Sequence, residues 1–172
     1  MRAFFAIPVG RLVDVDAVAE DFRGSGRALR WVPAHQIHLT LRFLGEIAGD
    51  EVSCMQNKLH ETAACFPPFS LEWDRTGVFP HWRSPRVFWI GLQRKSAQTV
   101  TEIARRLGES SVRPHVTVAR LKGEVSLSVV KQWRNYHVEW SPAGVTELLF
   151  MKSTLTSEGA VHQTISRGIL GR

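Results

Sequence analysis

His38-Leu39-Thr40-Leu41 and His115-Val116-Thr117-Val118 are two near-identical tetrads in a chain of 172 residues, and their reading decides the fold. Each reads as a short β-strand. Successive side chains of a strand point to opposite faces, so His and Thr share one face while the intervening Leu or Val residues enter a core. The apolar face holds the strand, and the other face is free for chemistry.

The likeness runs past the tetrads. The first continues as Arg42-Phe43-Leu44-Gly45-Glu46 and the second as Ala119-Arg120-Leu121-Lys122-Gly123-Glu124. About thirty residues upstream of each lies an apolar strand, Phe4-Phe5-Ala6-Ile7 before the first and Val87-Phe88-Trp89-Ile90-Gly91 before the second. This is an internal repeat, with a period too long and copies too few for a solenoid. Two related halves facing each other across a groove, each contributing one His and one Thr, is the arrangement it predicts.

Helical spacing recurs between these strands. Leu12, Val15, Val18, Ala19 and Phe22 form one apolar stripe ended by Gly24-Ser25-Gly26, and Val52, Met55, Leu59 and Ala63 form a second, stopped by Pro67-Pro68. Ala97, Val100, Ile103, Ala104 and Leu107 form a third with Gly108 as its stop, and a fourth helix fits 127–135. Further strands are expected over 69–73, 86–92, 138–140, 146–155 and 160–166, with Thr156-Ser157-Glu158-Gly159 as the turn of a terminal hairpin. The fold class is therefore α+β in two layers: two pseudo-symmetric, mainly antiparallel sheets facing a central cleft, with helices outside. Residues 1–172 read as a single domain made of two lobes.

Composition bounds the partners. With 44% hydrophobic residues and six tryptophans the chain is not disordered, and no run of 18 apolar residues offers a membrane span. Charges return at Arg11, Asp14 and Asp16, which breaks any signal-peptide pattern, so a cytoplasmic location is expected. Cys54 and Cys65 lack CxxC spacing and read as reduced, buried thiols. The formal charge of +6 suggests an anionic partner, nucleic acid first.

Two imidazoles across a groove can act as general acid and general base, because an ordinary pKa near 6.5 lets one hold a proton while the other accepts one. That pairing suits in-line displacement at phosphorus, with Thr40 and Thr117 offering hydroxyls to the non-bridging oxygens. No carboxylate accompanies either His within the tetrads, and His35 and His38 fall on opposite faces of the expected strand. No metal site and no cofactor are expected. Arg42 shares the parity of His38 and Thr40 and is expected to extend the polar floor. Phe79, His81 and Trp82 are placed in a Pro-flanked loop, Phe79 in the core and Trp82 as a candidate surface for a base, while His60, His137 and His162 read as surface or core histidines.

On these residues the chain resembles the two-histidine (2H) phosphoesterases, specifically the RNA 2',3'-cyclic phosphodiesterase branch, also called RNA 2'-5' ligases or the LigT/ThpR family. The likeness rests on Arg2 to Ile7, His38 to Glu46, Phe79-Pro80, Pro85 to Leu92 and Arg113 to Arg120, and covers nearly the whole chain. It implies a bilobal 2H fold and hydrolysis of an RNA 2',3'-cyclic phosphate to a 2'-phosphomonoester. His38 is then the proton donor to the leaving 3'-oxygen, His115 the acceptor that activates water, and Thr40 and Thr117 the phosphate ligands. Arg120 matches the family pattern and implies an electrostatic role near the phosphate. The implied partners are RNA ends with cyclic phosphates, tRNA fragments among them, with no membrane and no obligate protein partner, the protein acting as a monomer. Some relatives join RNA ends through a 2'-5' bond, a ribose hydroxyl replacing water. The segment from Gly91 to His115 is shorter than in relatives, and His162 stands where a tyrosine is common. Competing readings keep the same site for a small cyclic or 2'-5' linked nucleotide, or make it a non-catalytic RNA-end-binding module.

Overall fold

A computed structural model of the protein describes residues 1–10, 12–157 and 159–171. Its strands are β1 (Arg2–Pro8), β2 (Leu29–Trp31), β3 (His38–Glu46), β4 (Phe69–Leu71), β5 (Trp73–His81), β6 (Ser84–Leu92), β7 (His115–Leu121), β8 (Ala143–Val145), β9 (Glu147–Thr156) and β10 (Gly159–Ile169). Its α-helices are α1 (Val15–Asp21), α2 (Glu51–Ala64), α3 (Arg94–Arg106) and α4 (Leu127–Arg134).

The main sheet runs β10-β9-β1-β3-β7-β6-β5, with β2 also paired to β7, and all its pairings are antiparallel. One lobe is β10-β9-β1-β3 and the other is β7-β6-β5 with β2. The two halves of this one sheet meet where Leu39 of β3 pairs with Val116 of β7, the middle of the two tetrads. A separate two-stranded sheet, β4-β8, lies apart.

Two layers follow from side-chain alternation. Phe5, Ile7, Leu39, Leu41, Phe88, Ile90, Val116, Val118 and Phe150 belong to one buried cluster with Leu59 of α2, Val100, Ile103 and Ala104 of α3 and Trp133 of α4. The helices therefore cover the sheet face opposite the histidines. Trp133 anchors the second lobe, edge-on to Phe22 and Phe88, with its indole N–H donating to Gly77 O. Against α2, Gly168 leaves room that a side chain would fill, since a Cβ there would meet Ala63 Cβ at 2.9 Å.

Several expectations are corrected. The 138–140 segment is not a strand, whereas β2 and β8 are strands that their brevity hid from periodicity. Phe79 and His81 belong to β5 rather than a loop, and Trp82 occupies the β5–β6 turn, where Arg134 sits 5.4 Å above its ring. Cys54 and Cys65 are free thiols as expected but exposed, because α2 turns Leu59, Thr62 and Ala63 inward and these two outward. In the terminal hairpin turn Glu158 lies outside the described residues, as does Arg11. Among the described residues no helix is long and apolar enough to cross a membrane.

Candidate active site

His38 and His115 open β3 and β7, and each ring is oriented in the same way. His38 Nδ1 lies 2.8 Å from Gln36 O, and His115 Nδ1 lies 2.6 Å from Arg113 O, in both cases a carbonyl two residues earlier. A carbonyl only accepts, so each Nδ1 carries a proton and donates it, leaving Nε2 as the nitrogen available for proton transfer. Leu39 and Val116 turn into the core, which sends His38, Thr40, His115 and Thr117 to the opposite face. The antiparallel register about Leu39 and Val116 brings His38 toward Thr117 and Thr40 toward His115.

Each imidazole is packed by aromatic rings. Phe4 of β1 lies 4.9 Å from the His38 ring, and His162 of β10 meets His38 edge-on at 5.1 Å. Across the junction, Phe79 meets His115 edge-on at 5.0 Å, and Trp89 lies 6.0 Å from it. Trp89 lies flat over Gly77, where a Cβ would come within 2.1 Å of the indole. Phe4, Ala6, Leu149 and Met151 form a second apolar cluster, separate from the main core, that floors the cleft in the first lobe.

Burial and positive charge set the electrostatics. Desolvation is the main cause that holds His38 down to about 4, with His162, Arg120 and His115 adding repulsion and the Gln36 bond opposing it. Burial also lowers His115 and His162, and Arg120 pushes in the same direction on both. Arg120 thus lies within electrostatic reach of all three histidines. Arg30 of β2 is its cross-strand partner on the same face. Among the described residues no group of three or more His, Cys, Asp or Glu side chains could hold a metal ion.

Arg42 does not extend the cleft floor. Thr40 pairs with Ala6, but Arg42 pairs with Phe5, so Leu41 is the extra residue of a β-bulge and the parity of the strand reverses beyond it. Phe5 lies in the main core, and Arg42 accordingly turns to the helix side, its Nη1 donating to Leu107 O at the end of α3. β7 repeats the device: Trp89 pairs with Thr117 and Phe88 with Ala119, so Val118 bulges and Arg120 is brought to the cleft face. In β3 the corresponding position is Phe43, opposite Phe4.

The site thus gathers His38, Thr40, His115, Thr117 and Arg120, excludes Arg42, and adds Phe4, Phe43, Phe79, Trp89 and His162, to which sequence reasoning assigned no part in the site. His60 and His137 lie elsewhere, His60 bonding Ser166. The one signal that could have found the aromatics is the repeat itself, since strands flanking each tetrad must floor the same cleft.

The pair His38 and His115 thus sits at the junction of two repeated lobes, one histidine from each. Residues 13–89 match the family model described as LigT like Phosphoesterase. A curated relative from Aeropyrum pernix, named RNA 2',3'-cyclic phosphodiesterase, is 31% identical over 170 residues, covering 91% of this chain and 93% of the relative. One of the same name from Thermus thermophilus is 32% identical over 188 residues, covering 97% and 89%. In fold, the crystal structure of TT0787 from Thermus thermophilus aligns with a TM-score of 0.75 over 99% of this chain and 98% of that one, at 24% identity. The chain belongs to the LigT-like phosphoesterases, and it is an enzyme.

Proposed function

We propose that the protein hydrolyses RNA 2',3'-cyclic phosphate ends to 2'-phosphomonoesters by metal-independent two-histidine catalysis, acting as one domain of two lobes. The observation that carries this reading is the matched tautomer of His38 and His115, both with Nδ1 bonded to backbone and Nε2 left for proton transfer. The names of the curated relatives support the substrate.

In the proposed step, water gives a proton to His115 Nε2 as its oxygen attacks phosphorus. The bond from phosphorus to the 3'-oxygen breaks, and that oxygen takes the proton of His38 Nε2. An imidazolium at His38 is a strong acid, because burial and its positive neighbours hold its pKa low. Thr40 and Thr117 bind the non-bridging oxygens, and Arg120 offsets the charge that develops on them. A bound phosphate anion stabilises the imidazolium in turn. With a 5'-hydroxyl of a second RNA in place of water, the same groups form a 2'-5' bond, and RNA fragments such as tRNA halves are the natural donors of such ends.

The test is direct. Incubation in EDTA with an RNA ending in a 2',3'-cyclic phosphate is expected to yield a 2'-phosphate end. A 3'-phosphate product, or activity lost to chelator and restored by a divalent ion, contradicts the proposal.

A further inference from the structure

The tetrad pattern occurs a third time. His162-Gln163-Thr164-Ile165 lies in β10, and its local structure repeats that of the other two. Thr164 pairs with Met151 and Ser166 with Phe150, so Ile165 bulges as Leu41 and Val118 do, each at the last position of its tetrad. His162 and Thr164 share the sheet face of Met151 and Phe4, the floor of the cleft in the first lobe, whereas Ser166 beyond the bulge turns to His60 of α2. The His162 ring stands 5.1 Å from that of His38 and 5.0 Å from that of Phe4.

One difference separates the third copy from the others. His38 and His115 open their strands, and each bonds a carbonyl two residues earlier that lies outside the strand. His162 stands inside β10, where Ala160, two residues earlier, is itself paired with Leu155. Its Nδ1 is accordingly buried without a partner. Burial and Arg120 lower its pKa, so the ring is neutral at neutral pH and carries one proton. A buried N–H without an acceptor is the rarer kind of orphan, which puts that proton on Nε2. Among the described residues Nε2 has no partner, and it is the accessible nitrogen of the ring. Thr164 Oγ1 donates only to Met151 Sδ, a weak acceptor, at 3.4 Å. The third tetrad therefore lacks the fixed tautomer suited to proton transfer and keeps what holds an anion: an open N–H, a loosely committed hydroxyl and a cationic neighbour in Arg120.

Resting on the hydrolase reading, we infer that His162 and Thr164 form a second anion subsite, which takes the phosphodiester on the 5' side of the terminal ribose while the cyclic phosphate lies between His38 and His115. That phosphodiester is the next anion along an RNA strand, one ribose from the reacting phosphorus, and His162 is one ring contact from His38. A cyclic mononucleotide with a 5'-hydroxyl has no charge to place there. The subsite thus favours the end of an RNA chain over a free cyclic nucleotide.

The experiment compares a dinucleotide that ends in a 2',3'-cyclic phosphate with the same dinucleotide whose internal linkage is a methylphosphonate, similar in size but uncharged. For the wild-type protein, the neutral linkage is expected to lower kcat/KM by about 10- to 150-fold, the worth of one hydrogen bond to a charged group. His162→Ala is expected to bring the two substrates to within about twofold of each other. His162→Gln, whose amide N–H stands near the position of Nε2, is expected to keep most of the difference, and Thr164→Val to reduce it. Equal kcat/KM on the two substrates in the wild type, or a difference that His162→Ala and Thr164→Val leave intact, overturns the subsite while leaving the hydrolase reading in place. Wild-type protein inert on both substrates overturns both.

Discussion

Arg42 Nη1 lies 2.5 Å from Leu107 O, tying the middle of β3 to the C-terminal turn of α3. The last carbonyls of a helix lack intrahelical partners and carry partial negative charge, so a guanidinium there is favourable on both counts. Arg42→Ala is expected to lower stability by about 1.5–3 kcal/mol, the worth of a hydrogen bond to a charged group. It is expected to leave kcat/KM on a cyclic-phosphate RNA within about twofold, since the side chain faces away from the cleft. Urea unfolding and a turnover assay on the same sample check both, and a selective loss of turnover would return Arg42 to the site.

His38→Asn and His115→Asn separate orientation from proton transfer. Asparagine places an amide donor near the position of Nδ1, so the bonds to Gln36 O and Arg113 O can persist while Nε2 is gone. Each variant is expected to fold normally and to lose about 10²–10⁴ in turnover, the usual worth of one general acid or base. Either variant turning over at the wild-type rate contradicts its assigned role.

Acid should destabilise the protein over a defined window. His38 is held down to about 4, and His115 and His162 are lowered as well, all chiefly by burial. Below the ordinary value near 6.5 the unfolded chain binds protons that the native state refuses, so stability rises with pH across this window and is lost as pH falls through it. The His38 shift alone corresponds to about 3 kcal/mol. Unfolding curves at pH 7 and 4.5 should show the loss, and His38→Asn should make it smaller. An unchanged pH slope in that variant would show that other groups carry it.

Gly77→Ala probes the support beneath His115. The added Cβ would come within 2.1 Å of the Trp89 indole, which must shift, and Trp89 packs beside the His115 ring. A stability loss of about 1–3 kcal/mol is expected from overpacking. Turnover is expected to fall about tenfold or more, because misplacement of a reacting group by an ångström can cost that much. Wild-type turnover in Gly77→Ala would show that the indole does not position the imidazole.

What the sequence disclosed is whatever depends on local alternation. The two tetrads, their shared face, the four helices and the paired halves all follow from spacing of apolar residues. Arg42 and Phe43 mark where this stops, since one extra residue at Leu41 exchanges their faces, and a bulge depends on the partner strand rather than on the strand's own composition. His162 was illegible for a similar reason. It reaches His38 only because β10 folds back on β9 with His162 opposite Ser153, on the sheet face that Phe4 and Met151 also share.

The carbonyls of Gln36 and Arg113 hold the two imidazoles where a charge-relay enzyme would use carboxylates. A backbone oxygen does not titrate, so the ring orientation is the same in acid and in alkali, and it adds no full negative charge to a cleft proposed to admit a polyanion. It is also supplied by whichever amino acid occupies the position. The aim of both Nε2 atoms is therefore written into the path of the main chain, where side-chain mutation at positions 36 and 113 does not remove it, and both positions are open to redesign.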